Sequence, residues 1–399
     1  MSTDATAGVI QADHEYILQT YVKPDFVLER GEGVYLFDTE GRRYLDFVAG
    51  IAVNALGYGD PEVTSAIAEQ AARLIHVSNL YHTAPAGELA RLLVEHSPGL
   101  DRVFFGNSGA EVIEGSLKFA RRYAREHYGE GKTAIVAFDG SFHGRTMGAL
   151  AVTAREKYRE PFMPVMPGGR FATYNDLASV EAVMGDDVCA VILEPVQGEG
   201  GLRVADTAFL QGVRELCDRY HALLIFDEIQ CGMGRTGTLW AHEPSGVRPD
   251  LMTLAKPLAG GLPIGAILLG QQVADTIHVG DHGTTFGGNP LATAVGSVVF
   301  KRINDPAFLS HVREVSSYLD ESLQDLAADL PGQVRELRGR GLMRGVQLNV
   351  PAAPVREIAQ QQGLLVATAG DDILRLVPPL ITETAHIDEA LTILRRALV

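Results

Sequence analysis

Ala222-Leu223-Leu224-Ile225-Phe226-Asp227 and Asp250-Leu251-Met252-Thr253-Leu254-Ala255-Lys256 are two short apolar runs, each closed by a charged residue. Runs of this length that do not alternate with polar residues read as strands buried on both faces, the pattern of a parallel sheet. If the two are parallel strands of one sheet, their carboxyl ends present a carboxylate and a primary amine to one crevice, where open α/β sheets bind ligands. An acid and an amine so placed suit one chemistry. Lys256 can hold an aldehyde cofactor as a Schiff base, and Asp227 can keep that cofactor's ring nitrogen protonated, making the ring an electron sink. Taken singly, Lys256 also reads as a solvated loop residue and Asp227 as a turn or cap. The surrounding sequence weighs between these readings.

From about residue 60 to 290, helical stretches alternate with β-rich runs at 103–105, 134–138, 188–193, 222–226, 251–254 and 264–269. That alternation predicts crossover helices and a mainly parallel central sheet, an α/β fold. Ahead of it, Val34-Tyr35-Leu36-Phe37 and Tyr44-Leu45-Asp46-Phe47 flank Asp38-Thr39-Glu40-Gly41 and read as a hairpin. After Asn289-Pro290 a long helical stretch begins, and short strands follow at 345–348 and 373–376, the pattern of a smaller α+β unit. The expected division is 1–59, an N-terminal segment packing with the small domain, 60–289, a large domain, and 290–399, the small C-terminal domain.

With 50 acidic against 34 basic residues, the 399-residue chain carries a formal charge of −16, which disfavours nucleic acid and anionic membranes as partners. Small molecules and a second copy of the chain are the expected partners. Three cysteines without CxxC spacing support neither a disulfide framework nor a thiolate metal site. The amino end lacks the basic-then-apolar order of a signal peptide, and no apolar run approaches membrane-spanning length, so a cytoplasmic location is expected.

Several segments follow strands and carry ligand chemistry. Gly106-Asn107-Ser108-Gly109-Ala110-Glu111 opens a helix with Ile113, Leu117, Ala120 and Ala124 on one face, and its free amides suit a phosphate, although on this segment alone a plain N-cap is the favoured reading. In Asp139-Gly140-Ser141-Phe142-His143-Gly144-Arg145-Thr146, Phe142 can stack on a flat ring and Arg145 can take a carboxylate. His143 can pack beside the ring, though most such histidines are satisfied structural residues. Glu199, in Glu194-Pro195-Val196-Gln197-Gly198-Glu199-Gly200-Gly201, can meet a basic partner or remain a solvated loop carboxylate. Gln230 follows Asp227 by three residues and shares its face if a helical turn begins there. Gly131-Lys132-Thr133 lacks the first glycine of a phosphate loop and precedes its strand. No GxSxG or HExxH motif occurs, so the hydrolase and metalloenzyme readings are weak, and no metal site is expected.

Together with His282-Gly283-Thr284-Thr285-Phe286-Gly287-Gly288-Asn289-Pro290, these motifs resemble, in order, the class III (subgroup II) pyridoxal-phosphate aminotransferases, with greatest likeness to the acetylornithine enzymes among them. The resemblance implies the fold type I architecture and pyridoxal 5′-phosphate as cofactor. It implies Lys256 as the Schiff-base lysine, Asp227 on the pyridine nitrogen, Gln230 near the phenolic oxygen and Phe142 on the ring. Ser108, Gly109 and Ala110 would hold the phosphate, with Thr285 from a neighbouring subunit of a homodimer. Arg375 would take the α-carboxylate of glutamate or 2-oxoglutarate, Glu199 would cover it when an amine donor without that carboxylate is bound, and Arg145 and Thr284 would contact acetylornithine. The implied reaction moves the terminal amine of N2-acetyl-L-ornithine to 2-oxoglutarate, in arginine biosynthesis. Ornithine, acetyllysine, succinyldiaminopimelate and 4-aminobutyrate enzymes share most of these motifs, as do related aminomutases. Two departures flank cofactor-contact positions: Pro257 follows the lysine where a small residue is usual, and Val112-Ile113 replaces a small and polar pair.

Overall fold

The computed structural model describes residues 3–399, with side chains from Thr6 onward. Its centre is a seven-stranded sheet in the order Arg102–Gly106, Gly265–Leu269, Leu251–Leu254, Leu223–Asp227, Val188–Leu193, Ala134–Phe138, Gly169–Ala172. Pairing is parallel throughout except that Gly265–Leu269 runs antiparallel to both its neighbours. The fold is therefore α/β with a mainly parallel sheet, as the sequence predicts. The Gly169–Ala172 strand is an addition at the sheet edge, where two of four residues are polar or glycine and leave little apolar signal.

Continuous apolar runs form these strands because both faces are covered. Ile135, Ala137, Ala190, Ile192 and Ile225 face a core shared with Val112, Ile113, Leu117 and Ala120 of helix Gly109–Tyr128. Their alternates Val136, Phe138, Val191, Leu193, Leu224 and Phe226 face Phe209, Leu210, Val213 and Leu216 of helix Thr207–Tyr220. At roughly 1.5–3 kcal/mol per buried aliphatic side chain, this two-sided burial locks strand register. Val112 and Ile113 thus fill the core, which is why apolar residues stand there. Lys132 is buried and donates to the carbonyls of Asp186 and Tyr220, a structural role in keeping with the failed phosphate-loop reading.

The hairpin strands Tyr35–Asp38 and Arg43–Asp46 are joined by Leu28–Glu32 on one side and, in parallel, by Leu364–Leu365 on the other. A third, antiparallel sheet has the order Val334–Arg340, Met343–Leu348, Ile373–Leu376, Ala367–Thr368. Helix Pro290–Ile303, capped by Asn289 on the Ala292 amide, packs on helices Pro61–Arg73 and Ala84–Glu95 and on the 3-10 turn Lys256–Ala259. Pro257 sits in the first turn of that 3-10 segment, where its missing N–H has no acceptor to lose. Among the described residues no helix is long and apolar enough to cross a membrane.

Gly265 begins the antiparallel strand against the loop before helix Gly109–Tyr128, and a Cβ there would lie 2.7 Å from both the Ser108 carbonyl oxygen and Val112 Cγ1. Gly265→Ala is expected to lower unfolding stability by about 1–3 kcal/mol through overpacking, read from denaturant midpoints. An unchanged midpoint would mean that the strand can move off Ser108.

Candidate active site

The carboxyl ends of the parallel strands open on a cavity of about 340 Å³, within the range of small-ligand pockets. Ser108, Gly109, Ala110, Phe142, His143, Asp227, Gln230 and Lys256 all line it. Asp227 ends its strand opposite Thr253, and Lys256 follows three residues later on the adjoining strand's extension, so the sheet register itself brings acid and amine together.

Asp227 is buried and held on three sides. Its Oδ1 accepts from the Ile229 amide at 3.1 Å and from Thr253 Oγ1 at 3.3 Å, and its Oδ2 accepts from His143 Nδ1 at 2.7 Å. Burial alone would drive the His143 ring towards neutrality, but the Asp227 carboxylate outweighs it and raises the value. His143 Nε2 is buried with no partner. The segment after Asp227 is a turn rather than a helix, yet Gln230 still reaches the cavity. Gly198 packs against it so closely that a Cβ would lie 2.4 Å from Gln230 Oε1. Lys256 is partly buried; burial, joined by repulsion from Arg375, pushes its amine down to about 8 against the pull of Glu199, Asp227 and Glu194.

Ser108 is the N-cap, its Oγ accepting from the Glu111 amide at 3.2 Å, while Glu111 reaches back to the Asn107 amide. The Gly109 and Ala110 amides lie in the first helical turn, where no intrahelical acceptor exists, and face the cavity. The cap reading and the anion-site reading thus coexist. A Cβ at Gly109 would approach Ile229 Cδ1 to 3.2 Å, so this cradle is already tight. An open helix terminus for phosphate, a carboxylate for a ring nitrogen, an amine for an aldehyde and apolar walls form a donor set that fits pyridoxal phosphate.

Arg375 enters from the C-terminal sheet, buried, with Nη1 donating to Glu199 Oε1 at 2.5 Å and to Gln230 Oε1 at 3.4 Å. Burial would raise the Glu199 carboxyl, but the Arg375 guanidinium wins and holds it low. Arg145 is exposed, its guanidinium 3.6 Å over the Tyr158 ring. Thr284 and Thr285 do not line this chain's cavity: Thr284 Oγ1 accepts from Asn107 Nδ2 at 3.0 Å, and Thr285 is exposed.

Sequence reading assigned no role to several residues that shape the site. Glu194 accepts from the amides of Phe142 and Gly198, and Thr153 Oγ1 accepts from the His143 amide at 3.0 Å. Val53 lines the cavity just after a left-handed run, Ala49 φ 50, Gly50 φ 63, Ile51 φ 67 and Ala52 φ 61. Such a run costs roughly 1–2 kcal/mol per non-glycine residue, and Asp46 braces it by accepting from the Val48 and Ala49 amides. Buried Arg235 spans to the carbonyls of Leu342 and Pro378, its value pushed down to about 9 by burial. Arg235 carries no local sequence signal, because it acts through carbonyls more than a hundred residues away.

The family model described as Aminotransferase class-III matches residues 16–398. The chain is 46% identical over 402 residues to the probable mitochondrial acetylornithine aminotransferase of Dictyostelium discoideum, covering 99% of this chain and 89% of the relative. The N-acetylornithine aminotransferase structure from Stenotrophomonas maltophilia matches with TM-score 0.84 at 41% identity, over 97% of this chain and 98% of that one. The ornithine aminotransferase from Toxoplasma gondii matches with TM-score 0.95 at 31% identity, over 100% of this chain and 95% of that one.

Burial pushes the Glu194 carboxyl up to about 7, with His143 opposing and Asp227 adding to the rise. Between its ordinary 4.5 and about 7 the folded chain keeps a proton that the unfolded chain has released. Its stabilisation is therefore full below pH 4.5 and lost as pH rises to about 7. Glu194→Gln should flatten that stretch of the stability–pH curve in the cofactor-free protein, measured by denaturation midpoints. A slope like the wild type's would place the dependence in another group.

Proposed function

Because the chain belongs to the class-III aminotransferases and is a pyridoxal-phosphate-dependent transaminase, we propose that it moves the terminal amine of N2-acetyl-L-ornithine to 2-oxoglutarate, giving the semialdehyde and L-glutamate. The observation that carries the reading is the shared cavity of Lys256, Asp227 and the open helix terminus, with Arg375 beside it under Glu199.

When bound, pyridoxal phosphate supplies an electron sink for the carbon that loses a proton. Gly109 and Ala110 amides and the Ser108 hydroxyl would hold the phosphate, joined by Thr285 from a second copy. Phe142 would cover a ring face with His143 beside it, Asp227 would meet the ring nitrogen and Gln230 the phenolic oxygen. A lysine near 8 keeps a neutral fraction at mildly alkaline pH, so Lys256 Nζ can take the proton from the donor's amine-bearing carbon and return it on the other side of the transfer. Arg145 and Thr284 would contact the acetylated donor, and Arg375 the acceptor's carboxylate once Glu199 leaves it. Bidentate guanidinium binding of that carboxylate adds orientation as well as affinity.

The exposed apolar side chains Ile75, Leu80, Tyr81 and Phe286 surround the Thr284–Thr285 loop and support a homodimer with the site at its interface. The proposed division is 1–59, 60–289 and 290–399, with the pairing of Leu364–Leu365 on Arg43–Asp46 supporting an N-terminal segment that packs with the small domain, and the proposed location is cytoplasmic. Ornithine is the competing donor, favoured by the TM-score of 0.95 to an ornithine enzyme.

Lys256→Ala should lower turnover by at least about a thousandfold and abolish the visible absorbance of the lysine Schiff base, since the nucleophile is gone. Retention of both would remove Lys256 from the chemistry. Asp227→Ala should still take up cofactor but turn over at least about a hundredfold more slowly; near-normal rates would refute its role. Initial rates with five donors, acetylornithine, ornithine, acetyllysine, succinyldiaminopimelate and 4-aminobutyrate, should rank acetylornithine first in kcat/KM. A preference for any other would overturn the donor assignment.

A further inference from the structure

The side chains of Arg375 and Glu199 are 4% and 20% exposed in their ion pair. An incoming carboxylate that takes Arg375 Nη1 must displace Glu199 from it, and a mostly buried carboxylate stripped of its cation is strongly disfavoured unless another cation receives it. The loop carrying Glu199 is pinned against swinging outward. A Cβ at Gly200 would lie 2.4 Å from Gln197 Oε1 and 2.6 Å from the Gly140 carbonyl, and Gln197 itself is tied to the Asp139 carbonyl and to Arg203. With Gly198 tight on Gln230, the movement left is rotation of Glu199's own side chain.

Arg155 is the cation within reach of that rotation. Its Nη2 donates to the Glu199 carbonyl oxygen, its guanidinium lies 5.8 Å over the Tyr158 ring, and it has no carboxylate partner among the described residues. Its charge also helps to hold the Glu199 carboxyl low, behind the larger effects of burial, Arg375 and Lys256, the last of which is committed to the cofactor. We propose that Arg155 is the positioning residue that receives the Glu199 carboxylate when the keto-acid acceptor's carboxylate occupies Arg375. The assignment rests on the reading above in which Glu199 covers Arg375. Arg155 thereby lowers the cost of uncovering Arg375, and its effect falls on the acceptor half of the reaction and spares the donor half.

The test uses holoenzyme and two readouts: KM for each substrate, and the calorimetric dissociation constant of glutarate, a dicarboxylate with no keto group to react. In Arg155→Met, KM for 2-oxoglutarate and the glutarate constant should both rise about tenfold or more, with kcat and the donor KM within about twofold of wild type. Arg155→Lys should recover most of the loss. Arg155→Met combined with Glu199→Gln should bind glutarate within about threefold of Glu199→Gln alone, because no carboxylate remains to be received. If Glu199→Gln tightens glutarate while Arg155→Met leaves it within about twofold, Glu199 does cover Arg375 but Arg155 does not receive it, and the proposal falls. If Glu199→Gln leaves glutarate binding unchanged, the cover reading itself fails and takes the proposal with it. Equal losses for donor and acceptor in both Arg155 variants would show a purely structural role and likewise overturn it.

Discussion

Asp227 is a carboxyl group buried at the end of its strand, and the geometry of the cavity follows from how its oxygens are satisfied there. Burying an isolated anion is prohibitive, so the fold surrounds it with a histidine N–H, a backbone N–H and a threonine hydroxyl. Each of those partners must itself be fixed. Thr253 is fixed by strand pairing opposite Asp227, and His143 by its own amide on Thr153. The same pairing carries the next strand on to Lys256, so the conditions that hold the acid also aim the amine.

Charge in the cavity is balanced among groups from separate parts of the chain. Asp227, Glu194 and Glu199 stand against Lys256, Arg375 and His143, and burial pushes the amine and the Glu194 carboxyl towards their neutral forms. Glu199 resists the same pressure chiefly because Arg375 is beside it, with Lys256 and Arg155 adding to the effect. Arg375 comes from the C-terminal sheet, whose strand continues to Val377 and bonds the Phe47 carbonyl of the N-terminal segment. Buried Arg235 ties the loop after Asp227 to the carbonyls of Leu342 and Pro378 in that same region. The C-terminal sheet is thus tied both to the N-terminal segment and to the loop after Asp227, and a shift of that sheet would change the distance from Arg375 to Gln230 at the cavity.

Legibility differed from residue to residue for physical reasons. The strand ending at Asp227 and the one leading to Lys256 were readable because a strand buried on both faces must be apolar throughout, and a charged residue at its end stands out. The helix after Ser108 was readable from its cap and its apolar spacing. The edge strand Gly169–Ala172 was not, since an edge strand with two polar or glycine positions has no such signature. Gln230 was expected on a helical turn, but it reaches the cavity from a non-helical turn because Gly198 leaves room for its side chain. Val112-Ile113 and Pro257 looked like disturbances beside the cofactor; the first pair fills the core and the proline occupies a position that needs no N–H.

From the amino-acid order alone came the α/β class, the strand ends that carry chemistry and the kind of cofactor they suit, because hydrophobic periodicity and strand-end polarity are local properties. Tertiary structure alone decided that His143 leans on Asp227, that Glu194 holds its proton to about 7, that Arg155 stands by Glu199 and that Thr284 answers to Asn107. Those relations join residues far apart in the chain, and their energies depend on distance and on exclusion of water, neither of which exists until the sheets have closed around the cavity.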